Sequence, residues 1–176
     1  MSEQNNLKEL ISQADLRIRI KEIAKEISLD YQNDSVVFVI VLSGGFIFGS
    51  DLFRSVDLDC EVDFVKVSSY RGTLPNNDIK LEKDLSINVA GKNVIIVEDI
   101  IDTGNTIKYL VKLIESYEPK SLKVATLLLK PDVAIVDCSI DWVGFEIDPE
   151  FVVGFGLDYD QKLRNLNAIY KLGGVS

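Results

Sequence analysis

Histidine is absent from this chain of 176 residues. Its absence removes the imidazole of a Ser-His-Asp triad, histidine-ligated zinc and a histidine proton shuttle near neutral pH. Any acid-base catalysis therefore falls to carboxylates, lysines or tyrosines. Cysteine is scarce as well. Cys60 and Cys138 stand far apart in apolar contexts, which suits two reduced thiols rather than a disulfide framework or a zinc site. Positive charge is in deficit: a formal net charge of -9 gives no electrostatic footprint for nucleic acid or an anionic membrane, so an anionic substrate has to be met by a local site. The longest uninterrupted apolar run, VVFVIVL at 36 to 42, is too short to span a bilayer. The polar start MSEQNN lacks the basic, apolar and small-residue layout of a secretory signal, and the expected location is the cytoplasm.

What is present is ordinary for a globular protein, with 47% hydrophobic and 27% charged residues. The length and the lack of repeats, low-complexity tracts or linkers point to a single domain over 1–176. In ISQADLRIRIKEIAKEISLDY, Leu16, Ile20, Ile23 and Ile27 share one helical face, with Ser12 and Asp15 spaced as a start signal. SVVFVIVL reads as a strand buried on both faces, closed by Gly44-Gly45, and FIFGSDLFRSV as a helix. CEVDFVKVSSY is a second strand. RGTLPNNDIKLEKD reads as a mobile loop leading into a short strand. Val94 to Glu98 forms another buried strand, followed by an acidic loop and a helix carrying Leu110, Leu113, Ile114 and Tyr117. SLKVATLLLK ends at Pro131, and short apolar segments follow at 133–137, 141–146 and 151–155. Strands alternating with helices define an α/β fold, a mainly parallel sheet flanked by helices.

In such sheets ligands gather where strand carboxyl ends meet helix N-termini. Four polar clusters fall at those positions: Ser43-Gly44-Gly45, Ser68-Ser69-Tyr70, Glu98 to Thr106, and Lys130. The third holds Glu98, Asp99 and Asp102 within five positions, where three carboxylates repel one another. Its loop DTGNT, Asp102 to Thr106, joins a buried strand to a helix, with Gly104 permitting a tight turn and Thr103 and Thr106 supplying hydroxyls. Successive N–H groups at a helix N-terminus cradle a phosphate. On local pattern alone the segment reads equally well as a plain helix cap beside a solvated acidic pair. The order of elements adds weight to a ligand with phosphate at one end and hydroxyls or a hydrated cation beside it, the outline of a ribose 5-phosphate.

VIIVEDIIDTGNT resembles the phosphoribosyl-pyrophosphate motif of the type I phosphoribosyltransferases. The rest of the chain is similar to the hypoxanthine-guanine phosphoribosyltransferases: VLSGGFIFGSDL, VSSY before a loop, LLLKP, and WVGFEIDPEFVVGFGLDYDQKLRNL. The resemblance implies the type I phosphoribosyltransferase fold, with a core over about 35–150 and a small hood from 1–15 and 151–176 over the base site. It implies purine salvage, the Mg2+-dependent transfer of a 5-phosphoribosyl group from its pyrophosphate to N9 of hypoxanthine or guanine. Glu98 and Asp99 would hold the ribose hydroxyls, and Asp102, Thr103, Gly104, Asn105 and Thr106 the 5-phosphate. Asp102 would also be the proton-transfer group near purine N7. Lys130 would donate to the 6-oxygen of the base, Phe151 would stack on the purine, and the Val152 backbone would read its edge. Ser43, Gly44 and Arg164 would face pyrophosphate, with Glu98, Asp99 and Asp158 toward the metal. Ser69 and Tyr70 would belong to a loop closing over the reacting centre. The partners implied are the two substrates and further copies of the chain in a homodimer or homotetramer, with no nucleic acid or membrane.

The chain departs from the family pattern at two positions. Ser43 stands where the family usually has Lys, in a Leu-x bond that members hold cis, and this removes a charge near pyrophosphate. Asn105 stands where Lys or another basic residue is common in the phosphate loop, leaving that cradle more dependent on backbone dipoles.

Overall fold

In the computed structural model, residues 7–69 and 79–173 are described. The chain runs β1 (Leu7–Ile11), α1 (Gln13–Asp30), β2 (Val36–Leu42), α2 (Phe46–Phe53), β3 (Cys60–Ser69), β4 (Ile79–Lys83), β5 (Asn93–Ile101), α3 (Asn105–Glu115), β6 (Ser121–Leu129), β7 (Trp142–Glu146), β8 (Val152–Val153) and β9 (Ile169–Leu172). Six strands make the main sheet in the order β4-β3-β2-β5-β6-β7. All neighbours are parallel except β3 and β4.

Alternation along the strands builds a core on each face. In β2, Val36, Phe38 and Ile40 join the cluster beneath α1 and α2, which also takes Leu16, Ile20, Ile23 and Ile27. Val37, Val39 and Val41 join the opposite cluster with Ile107, Leu110 and Ile114 of α3. A strand buried on both sides is a continuous apolar run for this reason. Helix α1 starts where Ser12 and Asp15 place it: the Ser12 hydroxyl accepts from the Asp15 amide at 3.2 Å and donates to its carboxylate at 2.6 Å. At the exposed edge of the sheet, the Arg19 guanidinium of α1 donates to the carbonyls of Val143 and Gly144 on β7, blocking further strand pairing there.

The architecture differs from the sequence expectation at the end of β5. The strand expected over Val94 to Glu98 continues to Ile101, so Asp99 lies inside β5 rather than in a loop after it. Ladder pairing to β6 sustains it, with Glu98 opposite Thr126 and Ile101 opposite Leu129. The apolar segment at 133–137 folds back toward the turn before α3, its Ile135 amide donating to the Thr103 carbonyl at 3.1 Å. The two chain ends meet in a separate antiparallel sheet, β1-β9-β8, with Leu7 opposite Leu172 and Val152 opposite Lys171. Its Ile11, Val152 and Ile169 pack into the same cluster as Phe38 and Phe48, so this sheet shares one core with the larger one.

Candidate active site

The carboxyl ends of β2 and β5 lie side by side, and a pocket of about 300 Å³ opens above them. Its walls include Leu42 and Gly44 from β2 and its turn, Glu98 and Asp99 from β5, and Thr103, Gly104 and Thr106 from the turn into α3. The Leu42–Ser43 peptide is cis. Gly44 is required by contact: a Cβ at this position would stand 1.7 Å from an Asp99 carboxylate oxygen. At Gly104 the constraint is conformational as well. Its φ is +87°, and a Cβ there would meet the Ile135 carbonyl oxygen at 2.7 Å. The turn before α3 thus approaches its neighbours closely, and Thr103, Gly104 and Thr106 of this helix terminus line the pocket.

The acidic pair is buried, with Glu98 at 6% and Asp99 at 9% exposure. Burial first, then repulsion from Asp99, holds the Glu98 carboxyl well above the usual carboxylate range. Burial raises Asp99 too, opposed by hydrogen bonding with Glu98 and by the charge of Arg164. One Glu98 oxygen accepts from the Asp99 amide at 3.2 Å, while the other, Oε2, has no hydrogen-bond partner among the described residues. A buried carboxylate oxygen without a donor is costly. The pair therefore fits a ligand that brings positive charge or hydroxyl donors. Among the described residues no group of three or more His, Cys, Asp and Glu side chains stands close enough to hold a metal ion. Asp158 accordingly does not complete a three-carboxylate group with Glu98 and Asp99. Its oxygens are engaged by Arg164 at 2.9 Å and by the Gln161 amide at 2.8 Å.

Asp102 and Lys130 are brought together directly, with 3.1 Å between the ammonium and a carboxylate oxygen. Lys130 is buried and Asp102 half exposed. The lysine is fixed because its amide donates to the Ile101 carbonyl at the end of the β5–β6 ladder, where the strand-end Asp102 also emerges. Lys130 further lines a second cavity of about 630 Å³, walled by Pro149, Phe151, Leu172 and the ion-paired Glu150 and Lys171. Lys130 therefore stands between Asp102 and the second cavity. The Phe151 ring is 38% exposed on that second cavity, whereas the Val152 side chain is buried and its backbone pairs with Lys171.

Other expected residues fall at the margins. Arg164 reaches the Gly156 carbonyl at 2.7 Å and its charge is felt at Asp99, which places it on the acidic side of the pocket. Ser43 is exposed, and neither it nor Asn105, the first residue of α3, belongs to the wall of the smaller pocket. Ser69 ends β3, its backbone paired with Ile79, and Tyr70 lies outside the described residues. Sequence reasoning missed the part of Ile135, which abuts the phosphate-type turn at Gly104, and the Glu150–Lys171 pair on the larger cavity. Neither carried a signal, since each depends on a contact between elements distant in sequence.

A mainly parallel sheet with an acidic strand end running into a glycine-turned helix N-terminus is the architecture of an α/β protein with an anion-binding site at its strand ends. Residues 6–160 match the phosphoribosyl transferase domain, and the chain belongs to the phosphoribosyltransferase family. It is 44% identical to the hypoxanthine phosphoribosyltransferase of Haemophilus influenzae, over 93% of both chains. A crystal structure of a hypoxanthine-guanine phosphoribosyltransferase from Bacillus anthracis superposes with a TM-score of 0.89 at 42% identity, over 93% of this chain and 97% of that one. The hypoxanthine phosphoribosyltransferase of Trypanosoma cruzi, solved with its product IMP, gives a TM-score of 0.86 at 36% identity, over 94% and 93% of the two chains.

Proposed function

We propose that the chain is a purine-salvage enzyme that moves the 5-phosphoribosyl group of phosphoribosyl pyrophosphate to N9 of hypoxanthine or guanine, giving IMP or GMP and pyrophosphate. The observation that carries this reading is the joining, in one pocket, of a buried acidic pair short of donors with the Thr103 to Thr106 turn. The carboxylates accept from the ribose hydroxyls, and the amides and hydroxyls of the turn hold the 5-phosphate. The C1–oxygen bond breaks with its electron pair leaving on pyrophosphate, the N9 lone pair forms the new bond to C1, and the base gives up one proton. Asp102 faces N7 and takes or holds that proton, with Lys130 donating to the 6-oxygen of the same ring. Phe151 stacks on the purine, and the Val152 backbone reads its edge. Arg164 and the Gly44 turn face the departing pyrophosphate, with electrostatic stabilisation as the main contribution to rate. Glu98 and Asp99 would hold magnesium, which would supply positive charge against the charge that develops on pyrophosphate.

In this reading the enzyme works in the cytoplasm as a homodimer or homotetramer. Among the described residues no helix is long and apolar enough to cross a membrane. Incubation with hypoxanthine, phosphoribosyl pyrophosphate and Mg2+ should convert the ultraviolet spectrum to that of IMP and release pyrophosphate. A protein that binds both substrates and forms no nucleotide would be a sensor rather than a transferase.

A further inference from the structure

The segment Asp158 to Arg164 is a tight hairpin. Tyr159 and Lys162 exchange backbone hydrogen bonds of 3.1 and 3.0 Å across Asp160 and Gln161, both of which have positive φ, the twist that two-residue hairpin turns require. The Asp158 carboxylate accepts from the Gln161 amide inside the turn. Arg164 staples the hairpin from below, pairing with Asp158, with the Gln161 side chain and with the Gly156 carbonyl. This internally bonded turn presents Tyr159, and the Tyr159 ring meets the ring of Phe151 edge to face, 5.9 Å between centroids and 88° between planes. Phe151 is otherwise held through its backbone, its carbonyl accepting from the Leu172 amide, while its ring projects into the larger cavity.

We infer that Tyr159 is a positioning residue that fixes the Phe151 ring as the stacking face for the base. This inference rests on the purine reading of the larger cavity. A half-exposed phenylalanine on a cavity wall loses rotamer freedom when a base stacks on it, and that loss weakens binding. The perpendicular contact with Tyr159 restricts the ring beforehand, because edge-to-face pairs prefer this geometry. Among the described residues the Tyr159 side chain makes no hydrogen bond to Glu98, Asp99, Asp102 or Lys130, so its effect is confined to affinity for the base.

Steady-state kinetics on the full-length protein test the inference. Tyr159→Ala should raise KM for hypoxanthine about 2- to 10-fold, the range expected for one aromatic pair, with kcat and KM for phosphoribosyl pyrophosphate within about twofold of wild type. Tyr159→Phe, which keeps the ring and loses only the hydroxyl, should restore the wild-type KM. In a Phe151→Ala background the Tyr159→Ala change should have no further effect on KM, since the ring it positions is gone. If Tyr159→Ala does not fold, Tyr159→Leu, which keeps apolar bulk without the ring, carries the same expectation. An unchanged hypoxanthine KM, an equal rise in both KM values, or an undiminished effect without Phe151 would overturn the inference. A wild-type protein inactive on hypoxanthine would instead overturn the assignment of substrate.

Discussion

The Lys130 ammonium lies 3.1 Å from an Asp102 carboxylate oxygen, although 28 residues separate them in the chain. The sequence places Lys130 at the end of β6 and Asp102 just beyond β5, and these strands are neighbours. Strand adjacency is what brings the pair together. Since Asp102 is half exposed, the ion pair itself adds little to stability. Under the proposed function it would present an acceptor for N7 and a donor for the 6-oxygen from one pair of strand ends.

Asp102→Asn should keep both substrates' binding within a few-fold and lower turnover by about 100-fold to 10,000-fold, the usual contribution of general acid-base catalysis. Initial rates at saturating substrates measure this. Equal turnover would remove Asp102 from the chemistry.

Gly44→Ala should disrupt the site by displacing Asp99 or the turn that carries Gly44. The added methyl has Asp99 as its nearest neighbour, 1.7 Å away, so either the carboxylate or the turn must move. Overpacking of this kind costs about 1–3 kcal/mol, and activity should fall more than stability does, because Asp99 is displaced from the sugar. Thermal unfolding beside initial rates checks both. A fully active, equally stable variant would show that the turn is looser than the contact implies.

The acidic pair gives a pH signature of definite sign. Glu98 and Asp99 have folded-state pKa values raised above their ordinary 4.5 and 3.8, chiefly by burial. A raised carboxyl means that the folded chain binds more protons than the unfolded one. The stability this confers is full below the ordinary carboxylate range and is lost as pH rises through the raised values. Glu98→Gln should therefore stabilise the ligand-free protein at pH 7.5 on the order of 1 kcal/mol, or about 2–4 °C in Tm, and flatten the decline in Tm above pH 4.5 while abolishing activity. Mg2+ with a purine mononucleotide should raise the wild-type Tm more as pH rises through the raised carboxyl range, because a protonated carboxyl is a poor ligand. A Tm of Glu98→Gln equal to or below wild type at pH 7.5 would contradict the burial argument.

Asp63 gives the opposite sign. Burial alone would raise it, but amide donors from Phe64, Ser86 and Ile87, with Lys83 nearby, hold it below its usual range. Its contribution is present above the ordinary Asp pKa and lost as pH falls through the depressed value. Asp63→Ala leaves those amides without an acceptor and should cost about 2–4 kcal/mol, read by urea denaturation at pH 7, with the deficit narrowing in acid. An effect below about 0.5 kcal/mol would mean that water replaces the carboxylate.

The elements that carry strong periodicity were legible in advance. Leu16, Ile20, Ile23 and Ile27 mark the buried face of α1, and VVFVIVL marks the doubly covered β2. The family expectation is borne out by a domain match over 6–160. The end of β5 was not legible, because consecutive acids in a buried strand read as its termination. Pairing with β6, which is non-local, carries the strand through them. β1 and β9 escaped for a similar reason: LKELI and IYKL are short and mixed, and each becomes a strand only by pairing with the other. The resemblance puts Asp158 toward a metal, yet its carboxylate is taken up by Arg164 and the Gln161 amide within its own hairpin, contacts that depend on how the turn folds.

The central claim concerns where a sugar phosphate sits, and a crystal structure of the protein soaked with IMP tests it most directly. The predicted result is phosphate oxygens on the Thr103 to Thr106 amides, with both ribose hydroxyls on the Glu98 and Asp99 carboxylates. Ordered IMP bound elsewhere, with that acidic pair left without the sugar, would contradict it.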